Sequence, residues 1–78
     1  MHTEPLVRMA NQIGTFFAAM PDRQEALSDI AQHIRKFWEP RMRQALMEHV
    51  DAHADTPGDD GLDPIVAEAV RVHRREME

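Results

Sequence analysis

Cationic and aromatic side chains crowd one stretch of this sequence, His33 to Arg43, which reads H-I-R-K-F-W-E-P-R-M-R. It holds the only Trp, one of the three Phe residues and four of the nine basic side chains, with Pro40 breaking the helical pattern. Three kinds of chemistry fit these residue types. In the first, Trp38 and Phe37 fill a core, and Arg35, Lys36, Arg41 and Arg43 form a solvated rim. In the second, the patch is a docking surface, since Arg and Trp are among the residues most enriched at interface hot spots. In the third, the Arg forks capture a phosphate or carboxylate, on a cofactor tail or on nucleic acid.

Other reactive groups carry weaker signals. His49 and His53 stand four apart on one helical face, a spacing that can hold a metal, but two ligands do not make a closed site. They read as partly buried or interface histidines. Ser28, the only Ser, has Asp29 beside it and His33 one turn on. No strand–turn–helix elbow surrounds it, and a Ser in mid-helix more often bonds back to a carbonyl or faces water. Gly14, Gly58 and Gly61 are isolated, so no phosphate loop is built from them. No catalytic residue and no metal ligand set is assigned.

The elements that must position these groups are helical. Leu6, Met9, Ala10, Ile13, Phe16, Phe17 and Met20 repeat at i, i+3, i+4 and i+7, which predicts a helix over about 4–20. Thr3 is the candidate cap, and Gly14 marks a place where another helix crosses closely. Met20-Pro21 ends this helix, and Asp22 with Glu25 opens a second, over about 22–38. Its stripe is Ala26, Leu27, Ile30, Ala31, Ile34, Phe37 and Trp38, with Trp38 near the centre and Phe37 near the edge. Trp38 should face the core and hold a corner at Pro40, leaving Phe37 and the four cations outward. A third helix over about 40–53 carries Met42, Ala45, Leu46, His49, Val50 and His53. Residues 54–62 read as a linker. Asp63 and Pro64 then start a C-terminal helix over 63–78, with Val66, Ala69, Val70, His73 and Met77 on one face. The expected fold is all-α, a small helical bundle of three main helices (residues 1–53) plus a loosely attached C-terminal helix.

Composition narrows the partners. A chain of 78 residues is one domain whose core is marginal unless disulfides, metals or association assist it. There is no Cys, which removes disulfides and thiolate ligands and fits a reducing cytosol. No run of about 18 apolar residues exists to span a membrane, and M-H-T-E-P-L-V-R lacks the pattern of a signal peptide. The net charge of −5 resides in the last third, because six basic and six acidic groups cancel over residues 1–50. Such acidity disfavours general nucleic-acid binding. A cytoplasmic protein stabilised by a partner is the expectation.

Three segments carry a family likeness: L-V-R-M-A-N-Q-I-G-T-F-F (Leu6–Phe17), H-I-R-K-F-W-E-P-R-M-R (His33–Arg43) and G-L-D-P-I-V-A-E-A-V (Gly61–Val70). Together they resemble the delta subunit of the bacterial NAD-dependent, molybdenum- or tungsten-containing formate dehydrogenases. The resemblance implies a non-catalytic accessory subunit that supports assembly, stability or cofactor retention of the catalytic (alpha) subunit. It also implies that the redox groups belong to other subunits: bis-molybdopterin guanine dinucleotide with Mo or W, iron–sulfur clusters, FMN and NAD. None is expected on this chain. The expected partner contact is Arg35, Lys36, Phe37, Arg41 and Arg43 around the Trp38–Pro40 corner, helped by Asn11 and Gln12. Two other readings are a transient maturation chaperone for the catalytic subunit and an unrelated small helical regulator that binds nucleic acid.

Overall fold

A computed structural model describes residues 3–56 and 58–78; Met1, His2 and Pro57, the last within the expected linker, lie outside the described residues. The fold is an all-α bundle of five helices among those residues: α1 (Glu4–Phe17), α2 (Arg23–Phe37), α3 (Pro40–Ala52), α4 (Pro64–Val72) and α5 (Arg74–Met77).

Prolines and caps explain where the helices begin and end. Continuing α1 to Met20 would need the N–H of residue 21 to reach the carbonyl of Phe17, and Pro21 has none. The Phe17 carbonyl instead accepts from Met20 N at 3.0 Å in a tight turn. Asp22 caps α2, its side chain accepting from Glu25 N at 3.2 Å. At the other end Trp38 leaves helical geometry (φ −89°, ψ 140°) while its N–H still bonds Ile34 O. Pro40 then opens α3 at a position where a missing N–H costs nothing. Thr3 and Asp63 occupy the N-cap positions of α1 and α4, but neither side chain makes the capping bond.

The central element is α2, on which α1, α4 and α5 all pack, while α4 also packs on α1. The C-terminal helix is therefore not loosely attached. Val66, Ala69, Val70 and Met77 are as deeply buried as Ile30 and Ile34 of α2. The physical reason lies partly at Gly14, which is buried within α1. A Cβ added there would collide with Val66 Cγ2 and lie 3.3 Å from Ile65 Cγ2, so the two backbones approach as closely as only Gly permits. A break at His73 (φ −111°, ψ 25°) turns the chain into α5, which brings Met77 into the core. Arg74 then forks onto Asp51 of α3, with both bonds at 2.7 Å. Met47, one turn before Asp51 and off the expected α3 stripe, is buried beneath this arrangement.

The segment before α4 is stitched to the bundle. His49 donates Nε2–H to Asp60 O at 2.7 Å, and Leu62 N donates to Asp60 Oδ1 at 3.1 Å. Gly61 turns with φ +80°, and Leu62 is buried directly after it.

A candidate docking site at the helix corner

Trp38 anchors the corner from within. It is 5% exposed and belongs to the continuous core, while its neighbour Phe37 is 71% exposed. The extended backbone at Trp38 and Glu39 and the fixed φ of Pro40 make the turn rigid.

The structure divides the four cations of the corner. Arg43 is half-buried and donates Nη1–H to the carbonyl of Arg35 at 2.7 Å, satisfying one of the free carbonyls at the end of α2. Its guanidinium thus braces the corner. Arg35, Lys36 and Arg41 are exposed and form no ion pair among the described residues. Arg35 and Phe37 point about 160° apart around α2, since two residues advance a helix by about 200°. Arg35 and Lys36 line a shallow hollow with Gln32 and Glu76, away from the aromatic side.

Asn11 and Gln12 also part company. Asn11 donates Nδ2–H to Gly61 O at 3.0 Å and accepts from Asp63 N at 2.8 Å, so it is engaged in tying α1 to the start of α4. Gln12 is exposed and borders a groove between α1 and the corner. That groove encloses about 380 Å³ and is walled by Met9 and Ile13 on one side and by Phe37, Trp38 and Met42 on the other.

Residues that helical periodicity alone assigns to the core complete this face. Phe16 is 74% exposed and Met9 40% exposed. The rings of Phe16, Phe17, His33 and Phe37 follow one another at centroid separations of 5.0, 6.2 and 4.7 Å, an aromatic run from the end of α1 to the end of α2. One signal for Phe16 was present in the sequence. Adjacent Phe16 and Phe17 differ by about 100° in direction, so a single neighbouring helix does not cover both.

The remaining candidate chemistry is committed locally. Ser28 Oγ accepts from Gln32 Nε2 at 3.2 Å, and His33 stacks within the aromatic run. His53 donates Nδ1–H to the carbonyl of His49 at 2.9 Å, one turn back. Among the described residues no group of three or more His, Cys, Asp or Glu side chains is arranged to hold a metal, and no helix is long and apolar enough to cross a membrane.

No curated protein and no solved structure gives a match. A family model described as the NADH-dependent formate dehydrogenase delta subunit FdsD matches residues 5–70, which takes in α1, α2, the corner, α3 and most of α4. With that match running over most of its length, the chain belongs to the delta-subunit family of NADH-dependent formate dehydrogenases.

Proposed function

We propose that this chain is a non-catalytic accessory subunit that supports assembly, stability or molybdenum-cofactor retention of the catalytic subunit of a cytoplasmic formate dehydrogenase complex. Family membership supports association with a formate dehydrogenase complex. The observation that carries the finer reading is the corner itself. A buried Trp38 and the Arg43–Arg35 bond hold it rigid, while Lys36 and Arg41 are presented without ion pairs among the described residues and Phe37 is largely exposed beside His33. A corner whose backbone is already fixed loses little backbone entropy on binding, and this favours a stable contact over a transient one.

The redox groups are assigned to the other subunits. Without Cys this chain has no thiolate to ligate an iron–sulfur cluster. Its contribution to the molybdenum cofactor is indirect, through the subunit that holds it.

The test is to co-express the remaining subunits with and without this chain. Omission should lower molybdenum per catalytic subunit and formate-dependent NADH production, and the chain should co-purify in equimolar amount. Unchanged molybdenum content and activity would refute the supporting role. Absence from the purified active complex would favour a transient maturation chaperone.

A further inference from the structure

The hollow at the end of α2 already faces an acidic segment, and that segment belongs to the chain itself. Arg35 and Lys36 line it with Gln32, and the fourth wall is Glu76 of α5. The next residue, Met77, is fully buried in the core. A carboxylate beside two cations and an apolar side chain in the adjoining seat are what α5 contributes. The match is incomplete. Glu76 Oε2 lies 2.8 Å from His73 Nδ1, and neither Arg35 nor Lys36 forms an ion pair with it or with any other group among the described residues. The two cations are shielded by the strand of charge on α5 without being satisfied by it.

The attachment of α5 differs in kind from that of α4. Close approach to Gly14 fixes the start of α4 against α1, on the far side of His73 from α5. α5 has four residues, and a helix so short has no stability of its own. One buried side chain, Met77, holds it, together with ion pairs from Arg74 to Asp51 and Glu78. Asp51 and Glu78 are more than half exposed, and pairs of that kind contribute little and weaken with salt. Between Ile65 and Glu78 there is neither Pro nor Gly, so the break at His73 comes from packing and not from local sequence. Segments tied in this way open as units, well below the cost of unfolding the whole chain. The part of the chain that matches the family, residues 5–70, contains Arg35, Lys36 and the corner and stops short of α5.

We propose that α5 is an autoinhibitory strap: it swings away about His73 and yields the Arg35–Lys36 hollow, with the seat of Met77, to an acidic segment of another subunit that carries an apolar side chain beside its carboxylate. The proposal rests on the accessory-subunit reading above. The chemistry of the incoming segment is that of the one it replaces. Its advantage is a direct carboxylate pair with the Arg35 fork and Lys36, which Glu76, held by His73, does not make.

The experiment titrates full-length chains against the remaining subunits purified without this chain. Glu76→Gln removes the shielding carboxylate, and Asp51→Asn weakens the latch from the α3 side without altering α5. Each should bind at least threefold tighter than wild type. Arg35→Glu/Lys36→Glu should bind at least tenfold weaker. Asp55→Asn, which changes the net charge as much as Glu76→Gln at an exposed site in the linker, should bind as wild type does. Hydrogen exchange of the isolated chain reads the opening itself, through the Met77 and Glu78 amides that bond to His73 O and Arg74 O. These amides should exchange at least tenfold faster than that of Ile34, and faster still in Asp51→Asn while Ile34 is unchanged. Met77 protected as fully as Ile34 would overturn the strap. So would wild-type affinity in both Glu76→Gln and Asp51→Asn, and either result leaves the accessory-subunit reading intact. Failure of the wild-type chain to bind the other subunits would overturn both. If light scattering shows that Asp51→Asn makes the isolated chain a dimer, α5 exchanges between copies and the inference fails. Circular dichroism checks that each variant is folded; should Glu76→Gln lose helicity, Asp51→Asn alone must show the gain.

Discussion

Replacing Gly14 by Ala sets two effects of opposite sign against each other. In the middle of a helix the change ordinarily stabilises by about 1 kcal/mol, because Ala restricts the unfolded chain and suits the helix. Here the new methyl is driven into Val66 Cγ2 and lies 3.3 Å from Ile65 Cγ2. Val66 is fully buried and its branch is fixed at Cβ, so relief requires α4 to move away from α1. Overpacking of this kind costs about 1–3 kcal/mol. The net expectation is a loss of up to about 2 kcal/mol, and each kcal/mol lowers the melting temperature of a domain this size by about 4–8 °C. A double-mutant cycle isolates the contact. Val66→Ala alone removes two methyl groups, at about 0.8 kcal/mol each plus a term for the cavity. In that background the methyl added by Gly14→Ala occupies vacated space, so the substitution should become neutral or stabilising, with a coupling of about 1–3 kcal/mol. Urea denaturation followed by circular dichroism reads all four chains. If Gly14→Ala stabilises the wild type by about the helix-propensity increment, α1 and α4 do not approach closely and the assignment of α4 to the core is wrong.

Three further perturbations probe the corner, the loop and the α3–α5 pin. Trp38→Ala should cost about 3–5 kcal/mol, a large share of the total stability of a small domain, whereas Phe37→Ser one residue away should leave the urea midpoint nearly unchanged. Asn11→Ala removes the partners of Gly61 O and Asp63 N together and should destabilise by about 1–3 kcal/mol, with faster hydrogen exchange at Asp63. Asn11→Asp, which keeps an acceptor for the Asp63 amide, should fall between. The hydrogen bonds from Arg74, helped by its charge, hold the Asp51 carboxyl below its ordinary value of 3.8. A carboxyl depressed on folding contributes stability above its ordinary value and loses that contribution as pH falls through the folded one. The difference in urea midpoint between wild type and Asp51→Asn should therefore be constant near neutrality and shrink below about pH 4; a difference that does not change with pH would refute the pin.

Much of this fold was legible because its signals are local. Pro21, Asp22 with Glu25, and Pro40 each act within a few residues, and together they set the ends of α2 and the corner that follows. The burial of Trp38 beside an exposed Phe37 followed from helical phase. The features that escaped are those whose cause lies far along the chain. The C-terminal helix looked detachable because it is short, charged and preceded by turn-forming residues. Its hold on the core depends on close approach to Gly14, which no local pattern announces. Asn11 read as a surface residue, but its two bonds reach residues 50 and 52 positions away. Arg41 and Arg43 are indistinguishable by type. Only the three-dimensional corner shows that one braces the Arg35 carbonyl while the other stands free of ion pairs among the described residues.

These long-range features bear on one another. By admitting α4 so closely, Gly14 sets the rotation of α1, since Leu6, Ala10 and Gly14 must face inward together. A roll of α1 that covered Met9 and Phe16 would carry that buried line away from α2 and α4, exposing Leu6 at a cost of about 1.5–3 kcal/mol, Ala10 at less, and undoing the close approach at Gly14. The exposed aromatic edge is therefore not slack in the packing. It follows from how the bundle closes, and it stays presented because withdrawing it would open the core. A chain whose interior is satisfied in this way cannot hide its remaining apolar face by rearranging. An apolar face held open in this way is the kind of surface that association with another protein covers.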